Sequence, residues 1–222
     1  MTGRLDELLH TTSKHLKKLQ MLGINTIKDF LLYFPRNHAD TSTFTKIADI
    51  ELGKTCTIKG KISSLFNIRT KFGKTITKGV FFDDTGTIDV VWFNQAYLFK
   101  LLPRKKDIIL TGKVKYSFRK IALQSPSHEI IKPYEEQIHT GRIVPVYHET
   151  EGLTSKWIRE KLKPLINEWI GIFEEYLPQN IISGEKLLDY KTAIKNIHFP
   201  ESMQLLEQAR YRLAFDELFL LQ

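Results

Sequence analysis

The sequence predicts an α+β protein: a five-stranded β-barrel flanked by an N-terminal helical hairpin and by C-terminal helices. Three observations predict it. The apolar period is helical over residues 1–52, close to two from residue 54 onward, and helical again after Pro133. The middle region reads as three strands, a short helix, then two strands. Positive charge is concentrated there: residues 53–133 hold 16 Lys/Arg and 5 Asp/Glu, a net of +11 within a chain total of +8. Residues 1–52 carry +1 and residues 134–222 carry −4. The division expected is therefore 1–52 helical, 53–133 barrel, 134–222 helical.

Composition sets the frame. The 222 residues allow one domain or two small ones, and 42% hydrophobic with 26% charged residues is a globular profile. No run approaches the ~18 apolar residues of a membrane span, and residues 1–16 mix acids and histidines, unlike a signal peptide. The single cysteine, Cys56, excludes an internal disulfide. A cytoplasmic location is expected, with no membrane partner.

The elements follow in order. Leu16, Leu19 and Leu22 sit at helical spacing, and Gly23 fits a C-terminal stop. Thr26 and Asp29 form a capping box for a second helix, with Ile27, Phe30, Leu31 and Phe34 as its apolar stripe and Pro35 as its end. The tight joint of this hairpin could hold a DNA backbone through turn amides; ordinary packing is the simpler reading. In residues 55–62, Cys56, Ile58 and Ile62 share one strand face, and Thr55, Thr57, Lys59 and Lys61 the other. Gly60 falls on the inner face, where a strand bends around a small barrel. Further strands are expected near 75–83, 87–93, 106–116 and 118–124, with a turn at Asp84-Thr85-Gly86-Thr87 and a short helix over 94–102 whose buried stripe is Leu98, Leu101 and Leu102. This order is the pattern of an OB-fold. After Pro133 come an extended piece, residues 142–147, and a helix over 155–173 capped by Thr154 or Ser155. The last helix starts near Glu201. Its end, Leu218 to Leu221, is apolar on every side and is expected to be buried. That uncapped end reads as part of a longer protein, or as a helix buried within the domain or a dimer.

Catalytic motifs are absent. Gly53-Lys54-Thr55 and Gly73-Lys74-Thr75 lack the earlier glycine of a phosphate loop, with Ala48 and Ile68 in its place. The seven histidines show no metal spacing. No nucleophile elbow or paired carboxylate appears, and Cys56 reads as core. The chain itself is expected to hold no cofactor or metal.

The informative constellation is aromatic and basic. In the third strand Ile88, Val90 and Trp92 share a face, which leaves Phe93 on the polar one. Tyr97 follows four residues later, with Lys100 and Arg104 at helical spacing from it. Aromatic faces stack on any base and cations neutralise phosphates, so Phe93 and Tyr97 are candidate stacking residues for single-stranded or unpaired DNA. Lys59, Lys61, Lys113 and Lys115 on outward strand positions are candidate phosphate contacts, as are Lys71, Lys74 and Lys78 around the first hairpin. The same pattern fits Phe93 and Tyr97 packed against flanking helices, and the residues alone leave the two readings equal.

At these residues the chain resembles the N-terminal wedge region of the RecG family of bacterial branch-migrating DNA helicases. The resemblance runs through Leu19-Gln20-Met21-Leu22-Gly23-Ile24-Asn25, Phe34-Pro35-Arg36, Phe93-Asn94-Gln95-Ala96-Tyr97-Leu98, Gly141-Arg142-Ile143-Val144-Pro145-Val146-Tyr147, Ile197-His198-Phe199-Pro200 and Ala209-Arg210-Tyr211-Arg212-Leu213-Ala214-Phe215-Asp216. It implies an OB-fold wedge that binds stalled forks and Holliday junctions, with Phe93 and Tyr97 capping the last unpaired bases of the separated arms. It also implies a C-terminal ATPase motor in the parent polypeptide, holding ATP and Mg²⁺; the motor's motifs are not in residues 1–222. Two departures stand out. Asn37 and His38 follow Arg36 where the family commonly has a basic residue and a tyrosine, and Ala96 replaces a proline. The alternatives are a stand-alone single-strand binder of DNA or RNA, and a protein-interaction module whose basic barrel docks an acidic tail.

Overall fold

In the computed structural model, the residues described are Leu5, 9–71, 73–104, 106–117, 119–131 and 138–219. Two compact units make up the chain: Asp40–Arg142 is one, and Met1–Ala39 with Ile143–Gln222 is the other. These limits differ from a division at 52 and 133 because flanking residues are tied to the barrel unit. Phe44 bridges to Thr57, Thr45 N–H donates to the Thr57 carbonyl at 2.7 Å, and Thr41 Oγ1 donates to the Arg142 carbonyl at 2.7 Å.

The unit formed from the two ends opens with α1, Ser13–Met21, and α2, Ile27–Leu31. Gly23, at φ +78°, stops α1, and the Ile24 N–H reaches back to the Leu19 carbonyl at 3.0 Å. The expected capping box is present: Thr26 Oγ1 accepts from Asp29 N–H at 3.1 Å, and the Asp29 carboxylate accepts from Thr26 N–H at 2.9 Å. A strand not foreseen from sequence, β1 at Asn37–Asp40, pairs with β7 at Ile143–Val146. Three polar residues and one alanine, Asn37-His38-Ala39-Asp40, give no apolar alternation to read, so only the partner strand makes this segment extended.

Of the remaining helices, α4 is Ser155–Trp169, α5 Gln179–Gly184, α6 Tyr190–His198 and α7 Met203–Phe219. Thr154 caps α4 by accepting from Trp157 N–H at 3.2 Å. The last turn of that element tightens to a 3₁₀ helix at Ile170–Ile172 rather than running on to Phe173. Helix α7 packs Leu206 and Ala209 with Ala193, Ile197 and Ile143. At its end Leu218 and Phe219 are exposed rather than buried within the unit, and Leu220 and Leu221 lie outside the described residues. Phe215 and Phe219 instead stack on each other, 5.9 Å between centroids. No described helix is long and apolar enough to cross a membrane.

The barrel unit contains β2, Thr55–Arg69; β3, Thr75–Phe82; β4, Thr87–Phe93; the one-turn helix α3, Leu98–Leu101; β5, Ile108–Ser117; and β6, Lys120–Ile130. The strands close in the order β2-β3-β4-β6-β5, and β4 with β6 is the parallel pair. Ile58, Ile62, Leu65, Phe81, Val90, Trp92, Leu110 and Val114 fill the interior, with Cys56 at its edge. A Cβ on Gly60 would stand 2.1 Å from the Phe82 carbonyl oxygen, so the backbones of β2 and β3 meet there only because the residue is glycine.

Two sequence expectations fail in the barrel. Thr57 is buried rather than outward, because the chain at Phe44 and Thr45 covers it. Leu101 is 48% exposed, whereas Leu98 and Leu102 are buried. Helix α3 lasts one turn because Leu102, before Pro103, is forced into extended backbone (φ −86°, ψ 115°).

Candidate nucleic-acid interface

The alternation of β4 decides where Phe93 goes. Ile88, Val90 and Trp92 enter the barrel, and buried Trp92 satisfies its indole N–H on the Pro126 carbonyl at 2.8 Å. Phe93 takes the opposite face and is 39% exposed. Asn94 then adopts left-handed backbone, φ +57°, which a short amide side chain tolerates. Its N–H still pairs with the Thr75 carbonyl at 2.8 Å, so the chain turns while held to β3.

The next residues are fastened to the β2–β3 ribbon by side chains. Asn67 Nδ2 donates to the Ala96 carbonyl at 3.1 Å. The buried Thr77 hydroxyl lies 2.7 Å from Asn67 Oδ1 and 3.0 Å from the Gln95 carbonyl. Tyr97 follows at the start of α3 and is 59% exposed, its hydroxyl 3.4 Å from Gln95 Oε1. Both candidate aromatics thus stand on solvent, carried by one anchored segment.

The candidate cations divide by position. Lys71 and Lys74 lie on the β2–β3 hairpin and are exposed, close in register to the Thr75–Asn94 contact. Lys100 is exposed on α3. Arg104 lies beyond the end of α3, its guanidinium 5.6 Å from the Phe99 ring centre rather than on a face shared with Tyr97. Lys78 is tied to Asp89 at 3.1 Å, both largely buried, so its charge is already matched. Lys59 and Lys61 lie at the other end of β3, in a cleft of about 490 Å³ that Phe44, Phe82, Asp83, Asp84 and Asp107 also line. Lys61 reaches Asp107 at 4.0 Å there. Lys113 and Lys115 are exposed on β5, which β6 separates from β4. The aromatic pair therefore has Lys71, Lys74 and Lys100 on its side of the barrel, and the other six do not join that cluster.

The structure adds exposed apolar residues that the sequence reading missed. Phe66 is 43% and Ile68 39% exposed on β2. Strict alternation from Ile58 and Ile62 sends them inward. A bulge between Ile62 and Ser64 inserts one residue, so Leu65 enters the core and Phe66 and Ile68 turn out. The run Ser63-Ser64-Leu65, one residue out of step with the alternation before it, is the only trace of this in the sequence.

Among the described residues no cluster of His, Cys, Asp or Glu could hold a metal ion. Burial pushes the Cys56 thiol up, away from the reactive thiolate.

Comparison with known proteins places this arrangement. Residues 10–168 match the family model of the RecG wedge domain. ATP-dependent DNA helicase RecG of Thermotoga maritima is 34% identical over 208 residues, covering 93% of this chain and 26% of that protein. The protein of the same name from Synechocystis is 34% identical over 221 residues, with the same two shares, 93% and 26%. A solved structure of RecG bound to a three-way DNA junction aligns with 99% of this chain and 30% of its own, at 31% identity and a TM-score of 0.85. The chain thus spans roughly a quarter to a third of the length of these relatives. By the family match and by its likeness to these helicases along nearly its whole length, the chain belongs to the RecG wedge domain family.

Proposed function

We propose that this chain is the DNA-binding wedge of a branch-migrating helicase, with its barrel acting as an OB-fold at the branch point of forks and Holliday junctions. The observation that carries the reading is the alignment of 99% of the chain with a RecG solved on a three-way DNA junction. Separated strands leave unpaired bases that water solvates poorly. Phe93 and Tyr97, exposed on one anchored segment, offer each arm a stacking surface worth about 1–3 kcal/mol per base. Lys71, Lys74 and Lys100 add phosphate neutralisation with counterion release, so affinity falls with salt. Residues 53–133 act as the wedge, and the helical segments 1–52 and 134–222 carry it towards a motor in the parent polypeptide. ATP and Mg²⁺ belong to that motor, which pulls duplex across the wedge in fork regression and repair, in the bacterial cytoplasm.

The test is competition binding of the 222-residue chain to a three-way fork and to the linear duplex of one arm, at equal length and moderate salt. The fork should bind at least tenfold tighter. Equal affinities would sink the reading, and tight binding to plain oligonucleotides without a junction would replace it with a stand-alone single-strand binder.

A further inference from the structure

The bulged segment of β2 carries the proposal. Ile68 faces Ile76 across the β2–β3 ladder, and Ile76 faces Phe93 across the β3–β4 ladder. Directly paired residues in antiparallel strands point to the same side of a sheet, so Ile68, Ile76 and Phe93 form one outward row. Phe66, two residues back from Ile68, is on that side too. Phe66 and Ile68 are as exposed as Phe93 itself, and Ile76 between them is half-buried.

We propose that Phe66 and Ile68 extend the stacking surface of Phe93 into a track for one separated single strand. This rests on the wedge reading and names the path taken beyond the first unpaired base. Two interstrand spacings and two residues of strand rise put Phe66 about 12 Å from Phe93, the span of about three to four stacked nucleotides. Charge decides the occupant. Residues 66–82 contain Arg69, Lys71, Lys74 and Lys78 and no Asp or Glu, and Asp89 on β4 is paired with Lys78 at 3.1 Å. Arg69, Lys71 and Lys74 are exposed at the hairpin that carries the track. An apolar row edged by cations, its neighbouring acid Asp89 already matched by Lys78, fits stacked bases flanked by phosphates, and disfavours an acidic-rimmed protein groove.

The experiment uses the 222-residue chain and forks whose single-stranded arm is lengthened one nucleotide at a time, with 2-aminopurine at the third arm position. Affinity should rise by about fivefold or more as the arm grows from one to four nucleotides, and the probe should be quenched on binding. Phe66→Ala with Ile68→Ala should cut the arm-length gain below twofold, and Phe66→Tyr should keep it. The probe and the tyrosine variant decide the matter should the double variant fail to fold. Fork preference with no arm-length gain, or a gain that survives in a folded double variant, overturns the track and leaves the wedge reading standing. Loss of fork preference in the unmodified chain overturns the wedge reading itself.

Discussion

Asn67 Nδ2 donates to the Ala96 carbonyl at 3.1 Å, which binds the β2–β3 ribbon to the segment that carries Phe93 and Tyr97. Asn67 Oδ1 in turn lies 2.7 Å from the Thr77 hydroxyl. One amide thus positions the loop from an exposed strand position. Asn67→Ala should lower fork affinity severalfold through loss of a preset Tyr97, at a stability cost of about 1 kcal/mol or less, since the freed carbonyl reaches water. Affinity unchanged at matched salt would mean that the loop needs no such anchor.

The aromatic pair can be read separately. Phe93→Ala with Tyr97→Ala should weaken fork binding by about 2–4 kcal/mol from stacking magnitudes. Both rings are exposed, so the barrel should keep its unfolding midpoint within about 0.5 kcal/mol. A large loss of stability would instead assign the rings to packing.

Gly60 is a test of barrel closure. Gly60→Ala forces a methyl group to within 2.1 Å of the Phe82 carbonyl oxygen, a backbone atom that cannot swing away. The expected cost is about 3 kcal/mol, the upper end for overpacking, read by urea unfolding. Destabilisation below about 1 kcal/mol would show that β2 and β3 can separate without breaking the barrel.

Arg212 of α7 is wholly buried and holds two carboxylates, Glu175 at 2.7 Å and Asp216 at 2.9 Å, between the rings of Tyr176 and Tyr190. Arg212→Leu leaves both acids without their cation and should cost about 3–5 kcal/mol. Burial alone would raise the Glu175 carboxyl, but hydrogen bonds from Arg212 and from the Leu177 and Tyr190 N–H groups bring it down to about 2. A depressed carboxyl favours the native state above its unfolded value near 4.5, and that contribution disappears as pH falls from there towards 2. Acid titration of the unfolding midpoint should therefore show less loss in this range for Arg212→Leu than for the unmodified chain.

His198 predicts a second acid window at higher pH. Its Nε2–H donates to the Leu31 carbonyl at 2.8 Å, which leaves Nδ1 to accept from the Tyr147 hydroxyl at 2.8 Å. Both nitrogens are used by the neutral ring, and complete burial holds its pKa down to about 4 from 6.5. The unfolded chain binds the proton first, so stability is full above 6.5 and falls as pH drops from 6.5 to 4, by about 3 kcal/mol in all. His198→Gln should flatten the dependence of the melting temperature on pH between 7 and 5. A slope equal to that of the unmodified chain would place the proton uptake elsewhere.

The sequence by itself determined the local and periodic features. Gly23, the Thr26–Asp29 box and Thr154 act within one turn of chain, so their chemistry is readable without any partner. The alternation of Ile88, Val90 and Trp92 likewise set Phe93 on the outer face, because a strand has only two faces. The tertiary structure decided whatever depended on a second segment. Thr57 is covered by distant Phe44, β1 exists because β7 pairs with it, and the bulge after Ile62 turns Phe66 and Ile68 outward. Leu218 and Phe219, which apolar character alone would bury, are exposed. Burial is a relation between segments far apart in sequence, and one inserted residue reverses every side chain after it; periodicity read along a single segment registers neither.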